Sequence, residues 1–389
     1  MIISFFYKES LWAVRSFVTS PWMVLFGVFA MVLPLMAYCA EDLEDIIVNI
    51  RANERLYKNL DVVIHYEYVD SQEWLSYQEG FLPIKQEVID IRYVKQEGMF
   101  HLAVQGIVHR MASEQKEETV ARNKILLFDG NTSRALQGNR ANIIAGPTLD
   151  KDMISPHMLI IKTGGYPVPL STYMEGHQAM LAYRGLKWDP GIHIHTESQG
   201  EEVIDNHLCQ KVAIKHVIAA NGYLHSAWVF WLATDRNYLP LRCEAYAYND
   251  SKTIPAGQAV SRDLREIAPG VWFPHEVICT RYNWRTLRDH QRQELGWRER
   301  FTVKSVSLEP HYPVAFFRDL KIPDGTYVYH VDANGKIERT YIQGAPSKSV
   351  THRTSSRWLL FWGSISALIV CTIILIARRR MMLRRLYPP

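Results

Sequence analysis

Apolar and polar positions alternate strictly in two early runs: Ile89, Ile91 and Tyr93 with Asp90 and Arg92, then Phe100, Leu102 and Val104 with His101 and Gln105. A period of two sends successive side chains to opposite faces, so these runs predict antiparallel strands buried on one side. The segment before them has another period. Leu43, Ile46, Ile47, Ile50, Leu56 and Leu60 recur at steps of three and four, which predicts an amphipathic helix from Glu41 to Leu60. Asn221-Gly222 and Asn334-Gly335 each separate strand-like runs and suit the positive φ angles of a type I′ hairpin turn. Glu97-Gly98, Asp129-Gly130 and Pro323-Asp324-Gly325 add further turns. Alternation stops across 147–185, where Ser171 or Thr172 can cap a helix running to about Leu181. Strands are then expected near 191–196, 208–218, 223–234, 240–249, 257–267, 271–284, 297–308, 326–333 and 336–342. The fold class is α+β, mainly β: a large antiparallel sheet with an N-terminal helix and a helical insert.

The two ends read differently. Trp358 to Ala377 is uncharged, and twenty residues at 1.5 Å each span about 30 Å of hydrocarbon, as a transmembrane helix requires. Trp358 and Trp362 would form an aromatic belt at its outer end, and Arg378, Arg379 and Arg380 a positive-inside flank. Trp22 to Ala40 is also uncharged, follows Lys8 and Arg15 and precedes an acidic run, which fits a signal peptide with an Ala37-Tyr38-Cys39 cleavage pattern or an uncleaved anchor. Both ends imply an exported region, 41–343, a stalk over 344–357, a membrane helix over 358–377 and a cytoplasmic basic tail over 378–389. The expected location is the cell (inner) membrane.

The formal charge of the 389 residues is +4, but the seven arginines after residue 351 account for more than that. Residues 41–351 hold 35 basic and 39 acidic side chains, which leaves no electrostatic footprint for nucleic acid. Of five cysteines, Cys39 and Cys371 fall in the apolar ends. Cys209, Cys243 and Cys279 remain, as a Cys209 to Cys243 disulfide with one thiol, or as three buried thiols.

Leu127-Phe128-Asp129-Gly130-Asn131-Thr132, Tyr238-Leu239-Pro240-Leu241-Arg242 and Gly270-Val271-Trp272-Phe273-Pro274 look like hairpin and strand-entry segments of the periplasmic lipoprotein-carrier group. With the order helix, meander, helical insert, meander, residues 41–343 resemble the LolA-like fold, as a membrane-anchored bacterial relative. The resemblance implies a curved, half-barrel sheet that wraps helices and holds acyl chains in an apolar cavity.

The chemistry-bearing residues are sparse. Trp228, Phe230 and Leu232 fall on one side of one predicted strand, and Ile278, Tyr282 and Trp284 on one side of another; these six are the candidate ligand-lining residues, with ordinary core as the alternative. His193 and His195 share a strand face and could hold a metal only with a third ligand, and none is evident beyond Glu197. His275 and Cys279 likewise share a face without an orienting third group. No P-loop, G-x-S-x-G elbow or G-x-G-x-x-G occurs, so no catalytic residue, metal or cofactor is assigned. The sequence thus favours a membrane-tethered, extracytoplasmic, non-enzymatic binding protein for a lipid or lipoprotein acyl chain. The alternatives are an envelope sensor acting through a membrane protein partner and, behind it, an exported hydrolase or metalloenzyme.

Overall fold

The computed structural model describes residues 42–71, 84–113, 116–146, 154–160, 168–184, 191–333 and 335–345. Fifteen strands form one sheet: β1 (Leu60–Asp70), β2 (Ile84–Gln96), β3 (Met99–Ser113), β4 (Lys116–Phe128), β5 (Thr132–Gln137), β6 (Arg140–Ala145), β7 (Ile192–Ile204), β8 (His207–Ile218), β9 (Tyr223–Ala233), β10 (Leu239–Ala247), β11 (Gly257–Ala268), β12 (Val271–Tyr282), β13 (Leu295–Ser307), β14 (Tyr327–Val331) and β15 (Ile337–Ile342). Its order is β15-β14-β6-β5-β4-β3-β2-β1-β13-β12-β11-β10-β9-β8-β7, so among the described residues the sheet is unclosed and ends on β15 and β7. The N-terminal and C-terminal meanders join where β1 pairs with β13, and β14 returns to pair parallel with β6.

The helices follow from local chemistry. α1 (Leu43–Glu54) buries Ile46 and Ile50 and carries Glu44 and Asp45 in its first turn, where a helix dipole favours acids. A single 3-10 turn, Arg55–Tyr57, ends it earlier than the periodicity suggests, and β1 already starts at Leu60. The insert is α2 (Pro156–Leu159), α3 (Leu170–Met174) and α4 (His177–Arg184). The one helix expected to run to Leu181 is broken by Gly176, whose φ of +97° is left-handed and whose missing Cβ would sit 3.3 Å from the Ile194 carbonyl oxygen. α5 (Trp284–His290) follows β12, and α6 (Val314–Arg318) buries Phe317.

One large apolar cluster joins α1, the insert and one face of the sheet. It contains Ile46 and Ile50, Met158, Leu159, Tyr173 and Met174 of the insert, and alternate strand residues such as Ile64, Tyr93, Phe230, Val277 and Phe301. We call this the inner face. The other face carries a smaller cluster, Cys209, Ala213, Val229, Trp231, Ala233 and Leu241, in which Lys211 and Arg242 each lie 4.9 Å from the Trp231 ring centre. β9 is therefore buried on both faces, which explains its unbroken apolar run from Ala227 to Ala233.

Several expectations are corrected. Cys209 belongs to the outer cluster and Cys243 to the inner one, so the Cys209 to Cys243 disulfide is ruled out; all three cysteines are free and buried. Ile278 lies between the inner-facing Val277 and Cys279 and so faces the other way, β12 ends at Tyr282 after a register shift, and Trp284 opens α5. Ile278, Tyr282 and Trp284 are thus not one side of a strand. The Asn221-Gly222 turn is not type I′, because only Gly222 has positive φ; Asn221 instead accepts a bond from the Tyr223 amide. A pair with both φ positive occurs at Asp205-Asn206, between β7 and β8. Among the described residues no helix is long and apolar enough to cross a membrane. The signal segment 1–40, the membrane span with Trp358 and Trp362, and Arg378, Arg379 and Arg380 lie outside the described residues.

Candidate functional site

Cross-strand register assembles the inner face. One row runs Phe230, Cys243, Ala259, Cys279, Glu299, Tyr68, Glu87 and Val108 from β9 to β3, and the next runs Trp228, Ala245, Gly257, Arg281, Trp297 and Asp70. Three regions result. At the β9 side, Trp228, Phe230 and Leu232 are buried in the main cluster, so the sequence-derived parity of these three holds. In the middle, β10 to β12 present small residues, and Arg281 lies across Gly257, whose added Cβ would come 2.8 Å from the Arg281 Cδ. The Arg281 guanidinium stands 5.4 Å from the Trp228 ring centre, and burial pulls its proton affinity down.

The β1 side is polar. Tyr66 donates its hydroxyl hydrogen to Glu299 at 2.8 Å, Tyr68 donates to Asp70 at 2.9 Å, and Arg122 binds the buried Glu87. Burial lifts the Asp70 carboxyl to about 6, against the smaller opposing effect of the Tyr68 bond. The Tyr68 hydroxyl is pushed well above its ordinary range, by burial first and by the Asp70 charge next. Sequence reading missed this group, because its members come from four strands and only the alternation Tyr66, Tyr68, Asp70 along β1 hinted at it.

The insert is tied to the sheet by polar links. The Tyr173 hydroxyl lies 2.6 Å from the Nε2 of His216, whose Nδ1 is 2.9 Å from the Ser226 hydroxyl. Burial, with a smaller contribution from His225, holds His216 down at about 4, so it is neutral near pH 7. Thr196 donates to the Met174 carbonyl, and Glu54 of α1 accepts from both the amide and hydroxyl of Ser171 at the start of α3.

Between α1 and the insert lies a groove of about 370 Å³. Its floor is Tyr57, Ile154 and Met158, all members of the main apolar cluster, and Pro169 flanks it. Its rim carries Arg51, Arg55, Lys58 and Lys95 against the single carboxylate of Glu54. Sequence reading had no route to this groove, since it brings together residues near 55, 95, 155 and 170.

Nucleophilic chemistry finds little support in the candidate groups. Burial pushes the Cys209 thiol to about 11 and the Cys243 thiol well up, so neither is a thiolate near pH 7. Cys279 is fully buried. His193 and His195 are exposed on β7, flanking the inward-facing Ile194. The His193 ring centre is 5.9 Å from that of His177, and among the described residues no group of three His, Cys, Asp or Glu side chains is placed to share a metal ion.

No protein-family model matches the chain, and no curated protein matches its sequence. Solved structures resemble it at low identity. A LolA superfamily protein from Nitrosomonas europaea matches 72% of this chain and 99% of its own at 9% identity, with a TM-score of 0.37. A DUF1329 family protein from Desulfovibrio piger matches 72% and 98% at 10% identity, with a TM-score of 0.38. The Mycobacterium tuberculosis lipoprotein LppX matches 69% and 97% at 10% identity, with a TM-score of 0.23. What the site can do is decided by this chain's own residues.

Proposed function

We propose that this chain is an extracytoplasmic, membrane-tethered binding protein that holds an acyl chain of a lipid or lipoprotein between its inner face and its helices. The observation that carries the reading is the groove between α1 and the insert. Its apolar floor of Tyr57, Ile154 and Met158 is continuous with the core around Trp228 and Phe230. Its volume of about 370 Å³ falls in the range of roughly 300–1,000 Å³ found for ligand pockets. The residues of the candidate groups favour holding over turnover: the Cys209 and Cys243 thiols are protonated and His216 is neutral and engaged. Tethering rests on the apolar segment 358–377 and its arginine flank.

A fatty acid carrying a photoreactive diazirine near its methyl end tests this reading. Labelling is expected in the peptides that contain Tyr57 and Ile154 to Leu159, and unlabelled oleate should compete it away. Labelling scattered over the outer face, or unaffected by oleate, would contradict it.

The alternative, a sensor that binds a protein partner, draws on one feature. β7 ends the sheet, and its 13 residues make a long edge of the kind that accepts an added strand. The insert packs against the inner face of β7 through the Thr196 to Met174 bond.

A further inference from the structure

The rim of the groove has a charge that its surroundings do not share. Residues 41–351 carry more acid than base, 39 against 35, yet the groove gathers four cationic side chains around an apolar floor. The charges nearest to them are already engaged. Arg51 is paired with Glu175, and the Glu54 carboxylate is turned onto the Ser171 amide and hydroxyl, where the α3 helix begins. Arg55 and Lys58 lie past the last turn of α1, are exposed, and make no ion pair among the described residues. On the sheet, Lys85 is paired with Glu117, Arg110 with Glu118 and Arg134 with Asp129. Two uncompensated cations beside an apolar floor are the complement of an amphiphile whose head is an anion.

We propose that the groove selects amphiphiles with a phosphate-bearing, net anionic headgroup. The acyl portion lies on Tyr57, Ile154 and Met158, and the phosphate oxygens accept hydrogen bonds from Arg55 and Lys58, with Lys95, paired with Leu60 across β1 and β2, adding positive charge. This rests on the acyl-holding reading and sharpens it: the apolar floor supplies affinity that a head of any kind would share, and the rim supplies the choice between heads.

The test compares two probes with the same acyl chain, oleoyl lysophosphatidic acid and oleoyl lysophosphatidylcholine, both below their micelle concentrations and titrated into the full chain. The wild type is expected to prefer the anionic probe by about tenfold at 50 mM salt, and to lose most of that preference at 500 mM, where screening shortens to a few ångströms. Arg55→Ser combined with Lys58→Ser should reduce the preference to under about threefold while the affinity for the zwitterionic probe stays unchanged. Both side chains are exposed, and an unchanged thermal midpoint confirms that the double variant is folded. Equal wild-type affinity for the two probes would overturn headgroup selection and leave acyl holding standing. Binding of neither would remove acyl holding itself. Glycerol phosphate binding as tightly as the anionic lipid would show a plain anion site and overturn the amphiphile assignment.

Discussion

Gly106→Ala should be among the most damaging small substitutions in the sheet. Gly106 sits on β3 directly opposite Ile89 of β2, on the inner face between Val104 and Val108. A Cβ built there would lie 2.2 Å from the Val88 carbonyl oxygen, 2.6 Å from the Ile89 Cα and 2.7 Å from the Ile89 Cγ2. Ordinary contact begins at 3.4 Å, so the two strands would have to part by more than an ångström, and two of the three obstacles are backbone. The φ of Gly106 is not in the left-handed range, so alanine meets no backbone strain and the whole cost is overlap. Overpacking costs about 1–3 kcal/mol when side chains can yield, and a backbone obstacle puts this site at the upper end, roughly 3 kcal/mol. For a domain of this size that is a fall of roughly 6–12 °C in thermal midpoint. Gly130→Ala is the control: Gly130 has a φ of +96° but open space around its Cβ, so it should lose only about 1 kcal/mol from strain. Urea unfolding of both variants measures this. If Gly106→Ala costs less than Gly130→Ala, the close approach of β2 and β3 at this point is wrong.

Three further outcomes are expected. Asp70 has a carboxyl at about 6 in the folded chain against an ordinary value of 3.8, so its contribution to stability is full below pH 3.8 and is lost as pH rises through 6. Asp70→Asn keeps an acceptor for Tyr68 and should raise the unfolding free energy in urea at pH 8, by roughly 1–2 kcal/mol, but not at pH 3; an equal effect at both would refute the assignment. His216 is held down at about 4 against 6.5, so its contribution is intact above pH 6.5 and falls by up to about 3 kcal/mol as pH drops to 4. Replacing Tyr173 with Phe should cost about 1–2 kcal/mol at pH 7 by unpairing a buried ring nitrogen, and a midpoint unchanged by the substitution would count against the link. Cys209, Cys243 and Cys279 should each resist alkylation in the native chain and each react in guanidinium without reductant, whereas a protected pair in guanidinium would mean a disulfide.

The strands were legible where one face alone is apolar. Tyr93 and Ile91 or Phe100 and Leu102 alternate cleanly with polar neighbours, and their faces follow from period two. β12 defeats that logic, since Phe273, Pro274, Val277, Ile278 and Cys279 are apolar on both sides; parity alone could not choose between Ile278 and its inward-facing neighbours. β7 runs eight residues past the expected 196, because its second half is polar and carries a register shift between Ser198 and Glu201 that hides the alternation. The turn at Asp205-Asn206 lacks the glycine that marked Asn221-Gly222, and so went unread. Of the site, Trp228, Phe230 and Leu232 were legible as a stripe. The groove was not, because a rim drawn from Arg55, Lys58 and Lys95 over a floor from Ile154 and Met158 is a product of tertiary folding.

Native mass spectrometry of the full chain, purified gently from an exporting host, tests the central claim most directly. Acyl holding predicts a reproducible adduct with the mass of a phospholipid or fatty acid that oleate displaces, and that weakens when Met158 is replaced by Asp in the groove floor. An apo mass that stays unchanged after incubation with excess lipid, from a chain whose urea midpoint shows it to be folded, would contradict it.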